Sequence, residues 1–394
     1  MTLLTDDTKL RLLLEISSKI RSQVETSLNL DATLDLVLKT LAQLIPHDVA
    51  AIRLSDGPQN LHRSLVRRLD SSSPDSGPAY SPADLGSIGI DSLAARLEAP
   101  ILFDGRAIGS ILIGLRSQGS YAEADREILD FFAREVAYTI EKALLHEDLL
   151  AKKRLESELE VARQVQLSLL PAQVPVLPGY DMAALSIPAA GVGGDYYDFV
   201  GFPEDNVGLV IADVVGKGMS AALIMASFRA FLRAQIRNDY AIATIFRKVN
   251  NLLKEGLDDN RFVTAVYGVL DSRNRVLTYC NAGHNPPLLF TGDGNVVQLT
   301  RGGTVVGAFF GAEYKESRRN LKPGDVLLLY TDGLIEAHNS SDEEYGAERV
   351  ILTVQANRRA SAQELCSRLL ENVTAHRRES PLSDDLTLMV VKVG

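Results

Sequence analysis

The spacing of apolar residues divides the chain into helical and extended stretches. Between residues 8 and 45, leucine, isoleucine and valine recur at helical intervals, which predicts two amphipathic helices. Extended apolar runs that predict strands lie at 49–54, 101–103 and 108–115. Asp104-Gly105 predicts a hairpin turn between the last two strands, and the Ser- and Pro-rich stretch 70–78 predicts a loop. This pattern indicates a first α/β domain over residues 1–121.

A long helical segment is predicted next, over residues 122–171. It contains neither Gly nor Pro before Pro171, which ends the pattern. Near its end, apolar positions alternate four and three apart, with the polar Gln166 inside the series Leu155, Leu159, Ala162, Gln166 and Leu169. Such a helix either packs on its own domain or forms a dimeric coiled-coil connector. The apolar stripe needs a partner along its whole length, which favours the connector.

A second α+β domain is predicted over residues 172–394. Its expected strands lie at 181–187, 196–203, 207–213, 264–270, 276–281, 288–290, 326–330 and 386–392. Its expected helices lie at 220–238, 242–255, 347–357 and 361–374. Because runs of strands are separated by paired helices, the pattern favours a layered sandwich over an alternating doubly wound fold.

Composition restricts the location and the partners. The formal net charge of −10 argues against nucleic acid or an anionic membrane as the main partner. Cys280 and Cys366 lie far apart, which is typical of a reducing cytosol, and both are expected to be buried packing residues. The acidic N-terminus does not resemble a signal peptide, and no apolar run is long enough to span a bilayer. We therefore expect a cytoplasmic protein without membrane insertion.

Four short acidic segments carry the candidate chemistry. Asp195, Asp213, Asp332 and Asp384 lie beside glycine or at the edges of apolar runs. A carboxylate at the end of a buried strand is costly to bury without a partner, and several converging carboxylates repel each other unless cations neutralise them. Hard oxygen ligands suit Mg²⁺ or Mn²⁺. The pattern therefore predicts a two-metal hydrolytic centre.

Five segments in the second half of the chain carry a family resemblance. In chain order they read GGDYYDF, ADVVGKGMSAALIMA, NAGHNPPLL, YTDGLIEA and SDDLTLMVV. They resemble the SpoIIE/RsbU-type phosphatases, the bacterial branch of the PPM (type 2C) metal-dependent serine/threonine protein phosphatases, over residues 160–394. Residues 15–145 more loosely resemble a GAF sensory domain.

The resemblance implies a PPM-type α-β-β-α sandwich with a binuclear Mn²⁺ or Mg²⁺ site. In it, Asp213 bridges the two metals, assisted by the backbone carbonyl of Val214. Asp332 and Asp384 complete one metal site, and Asp195 contacts the second metal or its waters. Water held between the two cations then attacks phosphorus in line.

Residues near the four aspartates are expected to have supporting roles in this interpretation. Asp385 and Asp198 are weaker ligand candidates, and Asp198 is expected to support the ligands from behind or to form a turn. His284 is expected to fix its loop. Lys217 is a guess for the phosphate anchor, because the resemblance leaves that role unassigned.

The predicted function is dephosphorylation of a serine or threonine in a partner protein. The resemblance implies a STAS-type anti-sigma-factor antagonist as the substrate, and control by the GAF-like domain through the connecting helix. A homodimer and a GAF ligand of unknown identity are also expected. The alternative is a non-catalytic, phosphatase-like scaffold, which the presence of all four aspartates disfavours.

Overall fold

A computed structural model describes residues 14–15, 17–18, 22, 30–54, 63–68, 92–189, 191–202, 206–258, 260–378 and 380–394. The chain separates into two compact units, residues 1–155 and 156–394. The predicted loop at 70–78 and most of the first predicted helix lie outside the described residues. Within these ranges, no helix combines the length and the apolar character needed to cross a bilayer.

The first unit is built on a four-stranded antiparallel sheet. Its elements are α1 (Leu30–Leu44), β1 (Val49–Leu54), β2 (Arg63–Arg68), β3 (Ala95–Phe103) and β4 (Arg106–Leu115). The strand order is β2-β1-β4-β3, and β1 pairs antiparallel with both of its neighbours. Asp104 and Gly105 connect β3 to β4 with positive φ angles of 48° and 74°, so the predicted hairpin turn is confirmed.

Helices cover one face of this sheet. Alternate residues of β1, namely Ala50, Ile52 and Leu54, join the apolar faces of α1 and of α2 (Glu123–Leu169) in one core. Every second residue of β1 and the helically spaced apolar residues of α1 and α2 thus meet in a single cluster. β2 was not predicted because half of its sequence, RSLVRR, is arginine.

The second unit contains two antiparallel-dominated sheets. One has the order β11-β10-β14-β15-β5, and the other has the order β12-β9-β8-β7-β6 with β13 also pairing to β9. The strands are β5 (Tyr180–Ile187), β6 (Tyr196–Gly201), β7 (Val207–Val214), β8 (Val263–Asp271), β9 (Val276–Ala282), β10 (Leu288–Phe290), β11 (Val296–Gln298), β12 (Gly302–Gly303), β13 (Ser317–Asn320), β14 (Val326–Tyr330) and β15 (Leu386–Val393). The helices are α3 (Met219–Asn238), α4 (Ile242–Gly256), α5 (Gly346–Ala356) and α6 (Ala362–Arg377).

Three apolar layers hold this unit together. The middle layer joins the facing sides of the two sheets, for example Leu209 and Ile211 of β7 with Leu327 and Leu329 of β14. The outer face of the β6–β9 sheet packs on α3 and α4, and the outer face of the β14–β15 sheet packs on α5 and α6. The predicted α-β-β-α sandwich is therefore confirmed for the second unit.

The C-terminal part of α2 lies against this unit. Leu169 packs on the core that α3 and α4 share, and the β-carbon of Leu159 lies beside Gly191. The seam that predicted a coiled coil is thus half-buried within its own unit over these residues. The 47-residue helix is present, and its coiled-coil role stays a prediction.

Both cysteines are buried and unpaired, as predicted. Cys280 lies in β9 and Cys366 in α6. Burial raises the pKa of each thiol to about 12, so neither exists as a thiolate at neutral pH. They are packing residues.

Candidate metal centre

Four strand ends meet at one edge of the sandwich. Asp195 directly precedes β6 and Asp213 lies near the end of β7, and these strands pair antiparallel with Tyr196 opposite Ala212. In the other sheet, Asp332 follows β14 and Asp384 precedes β15, while the Thr331 N–H donates to the Thr387 carbonyl at 2.9 Å. Antiparallel pairing therefore brings the start of one strand beside the end of its neighbour in both sheets.

A threonine connects the two sheets at this edge. The Thr331 hydroxyl donates to Asp195 Oδ2 at 2.8 Å, and the same hydroxyl oxygen accepts from the Thr387 N–H at 2.9 Å. All three side chains are buried. This chain of hydrogen bonds fixes the orientation of the Asp195 carboxylate, because a buried polar group without partners would be costly.

Asp385 fastens the loop before β6 rather than pointing freely into the centre. Its carboxylate accepts hydrogen bonds from the Ala189 N–H at 2.8 Å and the Gly194 N–H at 2.7 Å. A side chain at Gly193 would overlap this carboxylate, and one at Gly333 would overlap the Asp385 backbone. Glycine at position 193 lets the loop before β6 approach Asp385 of the other sheet, and glycine at position 333 lets the turn after β14 approach the start of β15.

The carboxylates raise one another's pKa values. Burial and the nearby Asp332 and Asp384 raise the pKa of Asp213 to about 7. Burial, followed by Glu336 and Asp384, raises the pKa of Asp332 to about 6. Burial and the Asp213 charge raise the pKa of Asp195 well above its usual range. The edge thus carries negative charge that a cation would stabilise.

Lys217 is a cation at the rim of this cluster. Its ammonium group lies 3.0 Å from Asp384 Oδ2 and donates to the Ser383 carbonyl at 2.5 Å. The flanking Gly216 and Gly218 have φ angles of 105° and 73°, which allow the tight turn from β7 into α3. Lys217 is exposed, so its ammonium group is free to exchange partners at the surface.

The donor set fits a hard divalent cation. The predicted ligands offer carboxylate oxygens, and the Val214 carbonyl faces Gly194, where a β-carbon would come within 2.9 Å of it. Within the described ranges, no three His, Cys, Asp or Glu side chains already surround a metal position. Asp384 is instead turned to Lys217, and Asp195 to Thr331.

Asp198 has a role that the sequence did not reveal. It lies in the middle of β6, so the prediction of a turn-former is wrong. Its fully buried carboxylate accepts two hydrogen bonds from Arg233 of α3, at 2.6 and 2.9 Å, and one from the Tyr196 hydroxyl at 2.5 Å. This bidentate pair fastens α3 to β6. Nothing in the local sequence links Asp198 to an arginine 35 residues later.

His284 connects the two sheets behind the carboxylates. Its Nδ1 lies 2.8 Å from the Thr264 hydroxyl in β8, and its Nε2 lies 3.1 Å from the Tyr330 carbonyl in β14. Burial lowers the pKa of His284 to about 4, so the ring is neutral at neutral pH. Since the Tyr330 carbonyl can only accept, Nε2 carries the proton and Nδ1 accepts from Thr264. The loop is held by the Asn281 side chain, whose Oδ1 accepts from the His284 N–H at 2.8 Å, and the His284 ring, expected to fix the loop, bridges β8 and β14.

Residues 203–394 match the family model described as Stage II sporulation protein E (SpoIIE). The chain is 28% identical over 244 residues to phosphoserine phosphatase RsbU of Bacillus subtilis (strain 168), a match that covers 61% of this chain and 71% of that protein. It is 30% identical over 261 residues to protein IcfG of Synechocystis sp. This match covers 59% of this chain and 41% of that protein.

Two further similarities are found, one to a sequence and one to a solved structure. Phosphoserine phosphatase RsbP of Bacillus subtilis is 28% identical over 190 residues, and the match covers 47% of each protein. The chain therefore spans less than half the length of IcfG and of RsbP. The SiaA-PP2C domain of Pseudomonas aeruginosa superimposes with a TM-score of 0.56 at 21% identity, covering 62% of this chain and 99% of that domain.

The second unit thus has the fold of a PP2C domain, and the matches support a SpoIIE-type protein serine/threonine phosphatase. The range matched by the family model includes Asp213, Asp332 and Asp384 and begins after Asp195. The GAF-like character of the first unit is not addressed by these similarities.

Proposed function

We propose that this protein is a metal-dependent phosphatase that removes phosphate from a serine or threonine of another protein. The observation that carries this proposal is the convergence of Asp195, Asp213, Asp332 and Asp384 at one edge of a PP2C-like sandwich. Mutual repulsion among buried carboxylates is a cost in stability that bound cations would remove.

In this proposal, two Mn²⁺ or Mg²⁺ ions are held by these aspartates and the Val214 carbonyl. Following the family resemblance, Asp213, which lies near the charges of Asp332, Asp384 and Asp385, would be shared by both ions, and Asp332 and Asp384 would complete the ligands of one ion. Asp195, oriented by Thr331, serves the second ion or its waters. When bound, the ions activate water and neutralise the phosphoryl oxygens. Lys217 would exchange Asp384 for a phosphate oxygen at the rim.

The substrate proposal rests on the relatives. RsbU and RsbP are each named phosphoserine phosphatase, which supports phosphoserine as the substrate group. As the partner we propose a STAS-type anti-sigma-factor antagonist, the class that the family resemblance implies. The exposed rim around Lys217 can be reached by a folded phosphoprotein.

Regulation and assembly form the second half of the proposal. We infer that the first unit is a GAF-like sensory domain, with a ligand of unknown identity, and that it acts on the phosphatase through α2. Helix α2 carries exposed apolar side chains at Leu145 and Leu149, one helical turn apart on the same face, which a second copy of the helix would cover in a homodimer. The two reduced cysteines fit a cytoplasmic setting.

The test is phosphate release from a phosphoserine STAS protein by the full chain, with Mn²⁺ and with EDTA. We expect turnover only with Mn²⁺, and a loss of at least about 100-fold in Asp332→Asn, which removes a ligand charge. Asp342→Asn is the matched control, because Asp342 is an exposed turn residue whose left-handed backbone asparagine tolerates.

Two outcomes would contradict the proposal. Full activity of Asp332→Asn would mean that the carboxylate cluster is not the catalytic centre. Binding of the phosphoprotein without turnover, in protein that also binds Mn²⁺, would favour the non-catalytic scaffold.

A further inference from the structure

Gln166, near the end of α2, holds the backbone of Gly193 at two points. Its side-chain amide nitrogen donates to the Gly193 carbonyl at 2.5 Å, and its amide oxygen accepts from the Gly193 N–H at 3.0 Å. One side chain thus satisfies both polar groups of one residue, as a neighbouring strand would. Both residues belong to the second unit.

The segment clamped by Gln166 leads directly to a proposed metal ligand. Gly193 is followed by Gly194, whose N–H donates to Asp385, and by Asp195, whose carboxylate is held by Thr331. Residues 191–195 have no helix or strand of their own, since β6 begins at Tyr196. Their position therefore depends on contacts made from outside the segment.

The part of α2 that carries Gln166 is held in place by apolar contacts. Leu169, three residues after Gln166, packs on the core shared by α3 and α4, and the β-carbon of Leu159 lies near Gly191. These apolar contacts fix the helix against the loop on either side of Gln166. They also explain the polar residue in an otherwise apolar seam, because this position faces backbone groups that need hydrogen bonds.

We propose that Gln166 is a positioning residue for the metal centre: by clamping Gly193, it fixes where the Asp195 carboxylate stands between the two sheets. The inference rests on the proposed function and adds a residue from outside the acidic segments. Partners that orient metal ligands typically change metal affinity by about 10- to 100-fold when they are removed. The expected effect of losing Gln166 is therefore on metal binding as well as on turnover.

The experiment compares three variants of the full chain. Gln166→Ala removes both hydrogen bonds. Gln166→Glu keeps an acceptor for the Gly193 N–H but has no donor for the Gly193 carbonyl. Gln164→Ala is the matched control, since Gln164 lies on the same helix turn, is exposed, and bonds to Glu160 of the same helix.

Three quantities are measured: amide hydrogen exchange of the peptide 191–197, Mn²⁺ affinity by calorimetry, and the melting temperature. We expect faster exchange in 191–197 and about 10-fold weaker Mn²⁺ binding in both Gln166 variants, and wild-type values in Gln164→Ala. Exchange in an element away from this loop, such as α6 on the outer face of the other sheet, should not change.

A lower melting temperature in Gln166→Ala with unchanged exchange and unchanged Mn²⁺ affinity would overturn the inference, because Gln166 would then only dock the helix. Failure of the proposed phosphatase function would give a different result from failure of the Gln166 inference. In that case the wild-type chain binds no Mn²⁺, while exchange in 191–197 still decides whether Gln166 fixes the loop.

Discussion

At the scale of single residues, His284 shows how the metal centre is supported. The neutral ring joins β8 to β14, and its contact residues, Thr264 and Tyr330, lie close to proposed ligands: Thr264 is paired with Asp213, and Tyr330 is two residues before Asp332. A histidine that bonds at both ring nitrogens has little freedom to act as a proton donor. Its contribution is therefore to the spacing of the two sheets.

The stability contribution of His284 should depend on pH. Its folded pKa of about 4 lies below the unfolded value of 6.5, so the unfolded chain takes up a proton first as pH falls. The contribution is complete above pH 6.5 and is lost as pH falls towards 4. We expect His284→Ala to lower the free energy of unfolding by about 2–3 kcal/mol at pH 7.5 and by clearly less at pH 5.

Urea denaturation of both proteins at the two pH values measures this difference. His146→Ala, an exposed substitution on α2, is the control and should have little effect at either pH. An equal cost of His284→Ala at both pH values would mean that the ring is not held neutral in the folded state.

The acidic residues could be found from the sequence because each stands where an apolar run begins or ends. Asp195, Asp213, Asp332 and Asp384 were placed at strand ends, and the structure brings those ends to one edge. The support by Thr331, Gln166 and Arg233 could not be found in this way. Those contacts join residues 27 to 136 positions apart and carry no local pattern.

At the scale of elements, the strands of the second unit with continuous apolar runs were predicted within one or two residues, whereas β3 of the first unit begins at Ala95, six residues before the predicted start. β10 and β14 have the predicted bounds, and β7 and β15 extend one residue further. Short strands were missed: β13, with the sequence SRRN, is recognisable only by its antiparallel pairing with β9. An edge strand is defined by its partner's hydrogen bonds more than by its own side chains.

An ion pair joins β6 to α3 beside their apolar contacts. Asp198 is 0% exposed and the Arg233 side chain is 38% exposed, so removal of the guanidinium leaves a buried carboxylate with the Tyr196 hydroxyl as its remaining partner. Breaking a fully buried pair costs about 3–5 kcal/mol, and partial exposure reduces this figure. We expect Arg233→Ala to destabilise the protein by roughly 2–3 kcal/mol.

Thermal and urea unfolding of Arg233→Ala and Arg237→Ala test this expectation. Arg237 lies one helical turn later on α3 and is exposed, so its removal should be nearly neutral. Equal losses in the two variants would show that the Asp198 pair contributes no more than a surface charge.

At the scale of the whole molecule, the sandwich was predictable because its two sheets and two helix pairs have distinct apolar patterns. The role of α2 was harder to predict. The same seam can cover the second unit or a second helix, and periodicity does not distinguish the two. The structure shows that its last part, including Leu169, packs on the second unit, whereas Leu149 and Val165 remain exposed.

These exposures lead to a prediction about assembly. The full chain should be a dimer in solution, and a chain of residues 156–394, one of the two compact units, should fold on its own and be mainly monomeric. Light scattering after size-exclusion chromatography, together with a melting curve, checks both parts. A monomeric full chain, or the same dimer without residues 1–155, would contradict assembly through the first unit and α2.

The most direct test of the central claim is a Mn²⁺ titration of the wild-type chain and of Asp213→Asn by calorimetry, with phosphatase activity followed in the same samples. The charges of Asp332, Asp384 and Asp385 all act on Asp213. The account predicts two Mn²⁺ ions per wild-type chain, and loss of both metal binding and turnover in Asp213→Asn. Wild-type Mn²⁺ binding and turnover in Asp213→Asn would contradict it.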